Sequence, residues 1–224
     1  MLNEIINVLS EDELSFIHDA LATATWENGQ LSAGSQASQA KRNEELSQAG
    51  EPWSSINKLV VSKLYANSEF QSLALPLKVS AAFVSRCQPG MHYGQHIDNP
   101  IMGSANARYR SDIAVTVFLS EPDEYTGGEL NIESRFGPVS VKLKAGNAVV
   151  YPASSLHEVT PVTSGERLVC VMWVQSMVRD AEQRHLLHDL GEAHQALAQS
   201  TPNAQVTKRV GHVYANLLRM WADS

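Results

Sequence analysis

Cysteine is scarce in this 224-residue chain, which has only Cys87 and Cys170, far apart in the sequence. Because no CxxC pair is present, the sequence excludes a zinc knuckle, a thioredoxin-type redox motif and a framework of several disulfides. Both cysteines fall within apolar, strand-like runs, so we interpret them as small buried hydrophobic residues. A chain of this length can bury a core without such cross-links.

Basic residues are also few. The chain has 17 Lys and Arg against 24 Asp and Glu, which gives a formal net charge of −7. Nucleic-acid backbones require clustered Lys and Arg, and the basic pair in TKRVGH is too small to be such a cluster. We therefore expect no nucleic-acid partner.

Long apolar runs are absent as well. No stretch approaches the roughly 18 consecutive apolar residues that a membrane-spanning helix needs. The acidic start MLNEIINVLSEDEL lacks the basic and apolar regions of a secretory signal. We therefore expect no membrane association and a cytoplasmic location.

Helical patterns occupy the two ends of the chain. Ser10 and Glu13 form a capping-box pattern at the start of a helix, and a second helix is predicted over residues 52–68. Two more helices are predicted after Met177, separated by a break at residues 201–203.

The segment Asn28–Gly50 has no convincing helical or strand period. It is rich in Gln, Ser and Ala, and we interpret it as a long loop or a poorly apolar edge segment, and as a candidate lid over a site.

The region from Leu77 to Ser176 has a strand pattern. Short runs rich in Val, Ile, Phe and Tyr, such as DIAVTVFLS and RLVCVMWVQS, alternate with Gly, Pro, Asn and Asp. This alternation is typical of an antiparallel sandwich or barrel, and no βαβ rhythm favours a parallel sheet.

The stretch GQHIDNP within this region holds a candidate metal site. His96 and Asp98 are two residues apart, and alternate residues of a strand point to the same side, so both side chains can approach one ion. The HxD pattern alone is weak, and taken by itself it favours a polar strand end that runs into the turn Asn99-Pro100 over a metal site.

His157 and Arg167 strengthen the metal interpretation. Two histidines and one carboxylate form the facial triad of non-haem Fe(II) oxygenases, and an arginine fork suits a carboxylate ligand. If a hairpin is centred on Ser164, Arg167 opposes Pro161 on the face of His157, roughly 13 Å from it at about 3.3 Å per residue. If the turn is centred half a step away, Arg167 lies on the opposite face.

The other histidines give weaker patterns. His185 and His188 have a spacing that can chelate a metal on one helix face, but we favour a solvated polar face that also includes His194. His18 is expected on the surface of the first helix, and His212 has no evident partner.

Three motifs in this order, HIDNP, YTGGELNI and YPASSLHEVTPVTSGERL, resemble those of the Fe(II)- and 2-oxoglutarate-dependent dioxygenases of the prolyl 4-hydroxylase superfamily. Within that superfamily, the chain resembles the bacterial PKHD-type hydroxylases. The motifs cover residues 79–175, and the likeness extends with the helical tail to nearly the whole chain.

The resemblance implies a mainly β fold: a double-stranded β-helix (jelly-roll) core with flanking N-terminal helices and a C-terminal helical extension. The dioxygenase domain would span residues 1–177, with its core at about 77–177, and the extension residues 178–224. The helical tail is a candidate surface for a homodimer or a frame for the substrate opening.

The resemblance also implies a site. His96, Asp98 and His157 would be Fe(II) ligands, and Arg167 would bind the distal carboxylate of the cosubstrate 2-oxoglutarate. Succinate and CO2 would be released with dioxygen consumed, and L-ascorbate (vitamin C) is the expected reductant.

The roles of several residues near these four stay open. Relatives often carry a tyrosine where this chain has Cys87, which puts one cosubstrate contact in doubt; Tyr93 and Tyr109 are candidates to replace it. Asn99 and Arg110 are candidates for substrate contact.

Two residue pairs have simpler interpretations. Gly127 and Gly128 are expected to form a tight turn before a strand, and Met172 and Trp173 are expected to pack in the core.

Two other function classes use a similar triad. One is a non-catalytic jelly-roll iron or oxygen sensor, and the other is a cupin-type metalloenzyme without 2-oxoglutarate. Neither needs an arginine ten residues after the second histidine, so Arg167 discriminates against both. The substrate, peptidyl proline or lysine or a small molecule, is not identified by any motif.

Overall fold

The structure is a computed structural model that describes residues 2–32 and 40–223. Its helices are α1 (Glu11–Leu21), α2 (Trp53–Ala66), α3 (Ser68–Ala74), α4 (Ala181–Ser200) and α5 (Gln205–Trp221). Its strands are β1 (Asn3–Ile5), β2 (Trp26–Asn28), β3 (Lys41–Arg42), β4 (Glu44–Leu46), β5 (Pro76–Val79), β6 (Phe83–Cys87), β7 (His92–His96), β8 (Ile101–Met102), β9 (Tyr109–Arg110), β10 (Ile113–Phe118), β11 (Tyr125–Gly127), β12 (Leu130–Ser134), β13 (Gly137–Val141), β14 (Ala148–Pro152), β15 (His157–Val159), β16 (Val162–Gly165) and β17 (Arg167–Ser176).

Two antiparallel sheets form the core. The major sheet has the order β1-β14-β10-β17-β6-β4-β2, with β5 also paired to β17, and the minor sheet has the order β13-β12-β15-β7-β3. Consecutive strands are rarely neighbours, as expected for a fold whose chain alternates between two sheets. The predicted jelly-roll core is confirmed, as are the helices that precede and follow it in the sequence.

Strand β10 shows that the major sheet is covered on both faces, because all of its residues are buried. Ile113, Val115 and Val117 belong to the apolar cluster shared with the N-terminal helices. Ala114 and Phe118 belong to the cluster between the two sheets. Alternation along one strand thus separates a structural face from an inner face.

The N-terminal helices pack on the structural face. Helix α1 begins with the predicted capping box, in which the Ser10 hydroxyl accepts from the Glu13 N–H and the Glu13 carboxylate accepts from the Ser10 N–H. Ile17 and Leu21 of this helix are buried in the cluster with the major sheet. The predicted helix start is therefore confirmed.

The predicted helix over residues 52–68 is too long at its end. Helix α2 ends at Ala66, and Asn67 caps the separate helix α3 by accepting from the Phe70 N–H at 2.9 Å. An asparagine side chain that captures a backbone N–H favours a new helix start over continuation. This lets Phe70 reach the core, where it is fully buried.

The C-terminal helices α4 and α5 pack on each other, and α4 also contacts α3. The predicted break between them is confirmed, since no helix covers residues 201–204. None of the described helices is long and apolar enough to cross a membrane.

The segment Asn28–Gly50 is an edge segment in the part that the structure describes. Strand β3 pairs with β7 of the minor sheet, and β4 pairs with β6 of the major sheet. The chain therefore steps from one sheet to the other at Asn43. The central part of the predicted lid, residues 33–39, lies outside the described residues.

The predicted hairpin centred on Ser164 is wrong. Strand β16 pairs with β11, with Tyr125 opposite Gly165, while β17 pairs with β6 and β10 of the major sheet. Gly165 has a φ of 73°, which permits the change of direction that sends β17 into the other sheet. Arg167 and His157 thus lie on facing sheets rather than on one hairpin.

Candidate active site

His96 and His157 are direct partners on neighbouring strands. Strand β7 pairs with β15 so that the two histidines oppose each other, and their ring centroids are 4.2 Å apart. Both side chains point to the inner face and are buried, with 8% and 5% of their surface exposed. Strand pairing therefore brings together two imidazoles that are sixty-one residues apart in the chain.

Both imidazoles have a fixed orientation. His96 Nδ1 lies 2.8 Å from the Gly94 carbonyl oxygen, and His157 Nδ1 lies 2.9 Å from the Ser155 carbonyl oxygen. A carbonyl oxygen can only accept, so each Nδ1 carries the hydrogen and donates it. The Nε2 lone pairs are then free to bind a metal, the usual arrangement for ligating histidines.

The protonation of His96 also suits a ligand. The pKa of His96 is lowered to about 4, chiefly by burial and then by the neighbouring His157, while the hydrogen bond to the Gly94 carbonyl acts in the opposite direction. His96 is therefore neutral at pH 7, as metal binding requires.

Asp98 completes the cluster. Strand β7 ends at His96, so Asp98 lies on the turn that follows and not within the strand, yet its side chain is only 8% exposed. Asp98 Oδ1 lies 4.0 Å from His157 Nε2, and the ligand atoms of the three residues all lie within 4.8 Å of one another. Within the described residues, no other His, Cys, Asp or Glu group has this geometry.

The environment of Asp98 calls for a cation. Burial raises the pKa of this carboxyl, and the charge of His157 opposes the shift. Asp98 Oδ2 is buried with no hydrogen-bond partner among the described residues. Two imidazoles and one carboxylate are the donor set of an Fe(II) facial triad, and a bound cation would compensate the charge of this buried carboxylate.

Arg167 projects into the same cavity from the opposite sheet. It is only 3% exposed, and its Nε has no hydrogen-bond partner within the part of the chain that the structure describes. No described carboxylate lies within ion-pair distance of the guanidinium. A buried cation without a carboxylate to balance its charge is costly, so this position calls for an anionic ligand.

Gly128 makes room for Arg167. Its φ is 69°, and a Cβ there would lie 2.9 Å from Arg167 Cδ and 3.1 Å from Tyr125 Cε2. The structure assigns no tight turn here: Gly127 is the last residue of β11, and Gly128 lies in the short link to β12, where it leaves space for the Arg167 side chain. Any larger residue at Gly128 would displace the arginine.

Tyr125 is the tyrosine beside Arg167, a role that the sequence analysis did not assign to it. Burial raises the pKa of Tyr125, and Arg167 opposes the shift by its charge. The Tyr125 hydroxyl is buried without a partner among the described residues. The motif YTGGELNI contains this tyrosine, but only strand pairing places it next to an arginine forty-two residues later.

Cys87 also lies next to Arg167, as its partner across the β6–β17 pair. It lines the cavity, and burial raises the pKa of its thiol, so the thiol stays protonated. The expectation of a buried, unbonded cysteine is met for both Cys87 and Cys170.

The cavity between the sheets has an empty volume of about 880 Å³, including space open to solvent. Its apolar walls come from both sheets and exclude water around the polar groups. Leu130 and Val159 belong to the minor sheet, and Val169 and Val171 to the major sheet. Such a lining with a few convergent polar groups is typical of a small-molecule site.

The segment that contains β3 and β4 forms a third wall. Lys41, Asn43 and Glu45 line the cavity, and Lys41 forms an ion pair with Glu45. Asn43 donates to Ser85 Oγ at 2.7 Å, which fixes the step between the sheets. The weak periodicity of this polar segment gave no signal for this position.

Aromatic rings surround the histidines. Tyr93 stacks on His96 with ring centroids 3.6 Å apart, and Tyr151 meets His157 edge-on at 5.3 Å. Trp173 also lines the cavity, whereas its neighbour Met172 faces the helices. The expected packing is confirmed for both residues, since Met172 lies in the outer cluster and Trp173 packs against the inner one. Trp173 in addition faces the cavity, on the strand face of Arg167.

The remaining candidates for substrate or cosubstrate contact separate into two groups. Asn99 lines the cavity, as does Tyr93. Tyr109 instead donates to Met102 Sδ at 3.7 Å, and Arg110 is bound by both carboxylate oxygens of Asp112; neither is among the described residues that line the cavity.

Comparison with known families supports this arrangement. Residues 82–175 match the family described as the 2OG-Fe(II) oxygenase superfamily, and residues 181–223 match the PKHD-type hydroxylase C-terminal domain. The chain is 50% identical to a PKHD-type hydroxylase of Thioalkalivibrio sulfidiphilus and 45% identical to one of Shewanella sp. strain MR-7. Both alignments cover 100% of each chain.

Solved structures show the same fold at low identity. A prolyl-4-hydroxylase of Pseudomonas putida aligns with a TM-score of 0.56 and 16% identity, over 78% of this chain and 92% of that one. A viral collagen prolyl hydroxylase of Paramecium bursaria Chlorella virus-1, in complex with 2OG, aligns with a TM-score of 0.54 and 19% identity, over 78% and 96%.

Proposed function

The chain belongs to the PKHD-type hydroxylases, a group of 2-oxoglutarate-dependent hydroxylases, and on that premise we propose that His96, Asp98 and His157 hold its Fe(II) while Arg167 binds 2-oxoglutarate. The reaction would hydroxylate a substrate C–H bond and release succinate and CO2. The substrate stays open between peptidyl proline or lysine and a small molecule.

One observation carries the proposal: a buried arginine, with no ion pair among the described residues, shares a cavity with a buried His-Asp-His cluster. One end of a dicarboxylate can bind a metal held by the cluster, and the other end can bind the arginine. A sensor or a cupin-type enzyme without 2-oxoglutarate has no use for this arginine, so the two alternatives are disfavoured.

The protein residues have separable tasks. Arg167 neutralises the distal carboxylate, and the Tyr125 hydroxyl beside it is placed to donate a second hydrogen bond. The backbone carbonyls of Gly94 and Ser155 hold the imidazoles with Nε2 toward the cavity. Bound iron would supply the dioxygen chemistry, and the apolar walls keep water away from it.

The proposal includes L-ascorbate as the reductant, on the resemblance alone. It also includes a cytoplasmic location, a homodimer formed through the helical tail, and a division into a dioxygenase domain (1–177) and an extension (178–224).

Arg167→Ala tests the cosubstrate site. Anaerobic addition of Fe(II) and 2-oxoglutarate to the wild type is expected to give a visible charge-transfer band, from which the 2-oxoglutarate Kd follows. Loss of one partner of a buried charge pair costs ~2–5 kcal/mol, so Arg167→Ala should weaken 2-oxoglutarate binding about 100-fold or more.

Arg135→Ala is the matched control, because this arginine forms an exposed ion pair with Glu182, with 82% and 65% of the two side chains exposed. It should leave the band and the Kd unchanged. A wild type without any band, or an Arg167→Ala variant that binds as tightly as the wild type, contradicts the proposal.

A further inference from the structure

Trp173 is held against the metal cluster by its own strand. The inner face of β17 carries Arg167 at the start of the strand and Trp173 six residues later. The Trp173 backbone N–H donates to Ser80 Oγ at 3.0 Å, and its carbonyl accepts from the Ser80 N–H at 2.8 Å. The indole also meets Phe83 edge-on, with ring centroids 5.4 Å apart. The ring is therefore fixed in position.

Two complementary polar atoms lie here without partners. Trp173 Nε1 is a buried donor and Asp98 Oδ2 is a buried acceptor, and neither has a hydrogen-bond partner among the described residues. Both residues line the same cavity, so the orphaned donor and the orphaned acceptor face a common space. An unmade bond between buried groups is costly, so closing this pair is favourable.

The two oxygens of Asp98 have different surroundings. Oδ1 faces His157 Nε2 at 4.0 Å, on the side where the three ligand atoms converge. Oδ2 is the orphaned atom. One oxygen is thus available to a metal while the other is available to the indole.

We propose that Trp173 is a positioning residue for the metal centre: its indole N–H donates to Asp98 Oδ2 and turns Oδ1 toward His96 and His157. This inference rests on the proposed function, since it assumes that the three residues bind a metal. A carboxylate held in this way would offer a metal the oxygen that faces the two histidines. Partners that orient metal ligands typically contribute 10–100-fold to metal affinity.

Trp173→Phe is the first test, because phenylalanine keeps an aromatic ring against Phe83 and removes only the indole N–H and part of the ring. Mn(II) is titrated into metal-free protein, and free Mn(II) is measured by electron paramagnetic resonance. The variant is expected to bind Mn(II) roughly 10–100-fold more weakly than the wild type.

Trp53→Phe is the matched control. The Trp53 indole N–H donates to the Ala82 carbonyl at 2.8 Å, away from the cavity. This variant also loses one indole hydrogen bond, so its Tm is expected to fall while its Mn(II) Kd stays within twofold of the wild type. Equal Mn(II) affinity in Trp173→Phe and the wild type overturns the role of Trp173 and leaves the triad intact. A wild type that binds no Mn(II) overturns the metal site itself, and the inference with it.

A second measurement separates positioning from packing. Indole N–H signals of ¹⁵N-tryptophan-labelled protein are recorded with and without saturating Zn(II), and the Trp173 signal is identified by its loss in Trp173→Phe. We expect this signal to move downfield and to exchange more slowly with solvent when Zn(II) binds. In Asp98→Ala, Zn(II) should not move it. A Trp173 signal that Zn(II) leaves unchanged in the wild type contradicts the proposed hydrogen bond.

Discussion

Two pairs of histidines in this chain have contrasting surroundings. His185 and His188 are three residues apart on α4, yet they serve different partners: His185 faces Asp189 at 3.6 Å in a solvated setting, and His188 is buried against Ser72 Oγ at 2.9 Å. His96 and His157 are sixty-one residues apart, yet they are strand partners with both Nε2 atoms free.

The difference lies in the other ring nitrogen and in burial. A ligand pair needs both imidazoles buried, each with Nδ1 held by a carbonyl and a carboxylate within reach. The His96 and His157 pair meets all of these conditions, and the helical pair does not. Proximity in sequence is therefore a poor guide to a metal site.

The largest effect is expected from His157→Ala. Loss of one of three ligands should abolish stoichiometric Fe(II) binding under anaerobic conditions, measured by a ferrous chelator assay after desalting. His185→Ala removes a histidine of the other pair and should retain one iron per chain. Retained iron in His157→Ala, or its loss in His185→Ala, reverses the comparison.

The second-largest expected effect is a dependence of stability on pH, which comes from His96 of the buried pair. The pKa of His96 is about 4 in the folded chain, against an ordinary value of 6.5. Between these values the unfolded chain binds more protons, so the stability of metal-free protein should fall as the pH drops from about 6.5 to about 4. The loss from this residue is on the order of 3 kcal/mol.

Urea unfolding of metal-free wild type and His96→Asn across this pH range measures the effect. The His96→Asn variant should show a weaker dependence on pH than the wild type. Parallel curves for the two proteins would mean that His96 is not held neutral by its burial.

The smallest effect is expected from Ser72→Ala, which acts on the helical pair. It removes the partner of His188 Nδ1 where α3 contacts α4, and an unsatisfied buried group costs about 1 kcal/mol or somewhat more. Urea unfolding should show this loss, and the Mn(II) Kd should equal that of the wild type. A weakened Mn(II) Kd would connect the tail to the metal site against this account.

Local signals in the sequence predicted local structure well. The Ser10 and Glu13 pattern predicted the start of α1, and the break at residues 201–203 predicted the division of the tail, because both depend on backbone groups a few residues away. The end of α2 was misjudged, since Asn67 can cap a new helix as readily as it can sit near the end of an old one.

The same reasoning could not predict which strands pair with each other. Periodicity tells which residues share a face, but not which strand lies alongside, so the hairpin at Ser164 was predicted where β11 is the true partner of β16. Arg167 reaches the cavity by a different route, from the facing sheet.

One signal in the sequence was present and unused. Arg167 and Trp173 are six residues apart on one continuous strand, so they share a face. Because Arg167 was assigned to the site, Trp173 on the same strand face could have been assigned to it as well. No such pattern in the sequence points to Tyr125 or Lys41. Each is brought to the site by the pairing of its strand, β11 with β16 and β3 with β7.

Anomalous diffraction from a crystal grown anaerobically with Mn(II) and 2-oxoglutarate tests the central claim most directly. The account predicts one manganese peak within bonding distance of His96 Nε2, an Asp98 oxygen and His157 Nε2, with the distal carboxylate of 2-oxoglutarate on Arg167. A manganese peak at His185 and His188 instead, or a 2-oxoglutarate carboxylate away from Arg167, would contradict it.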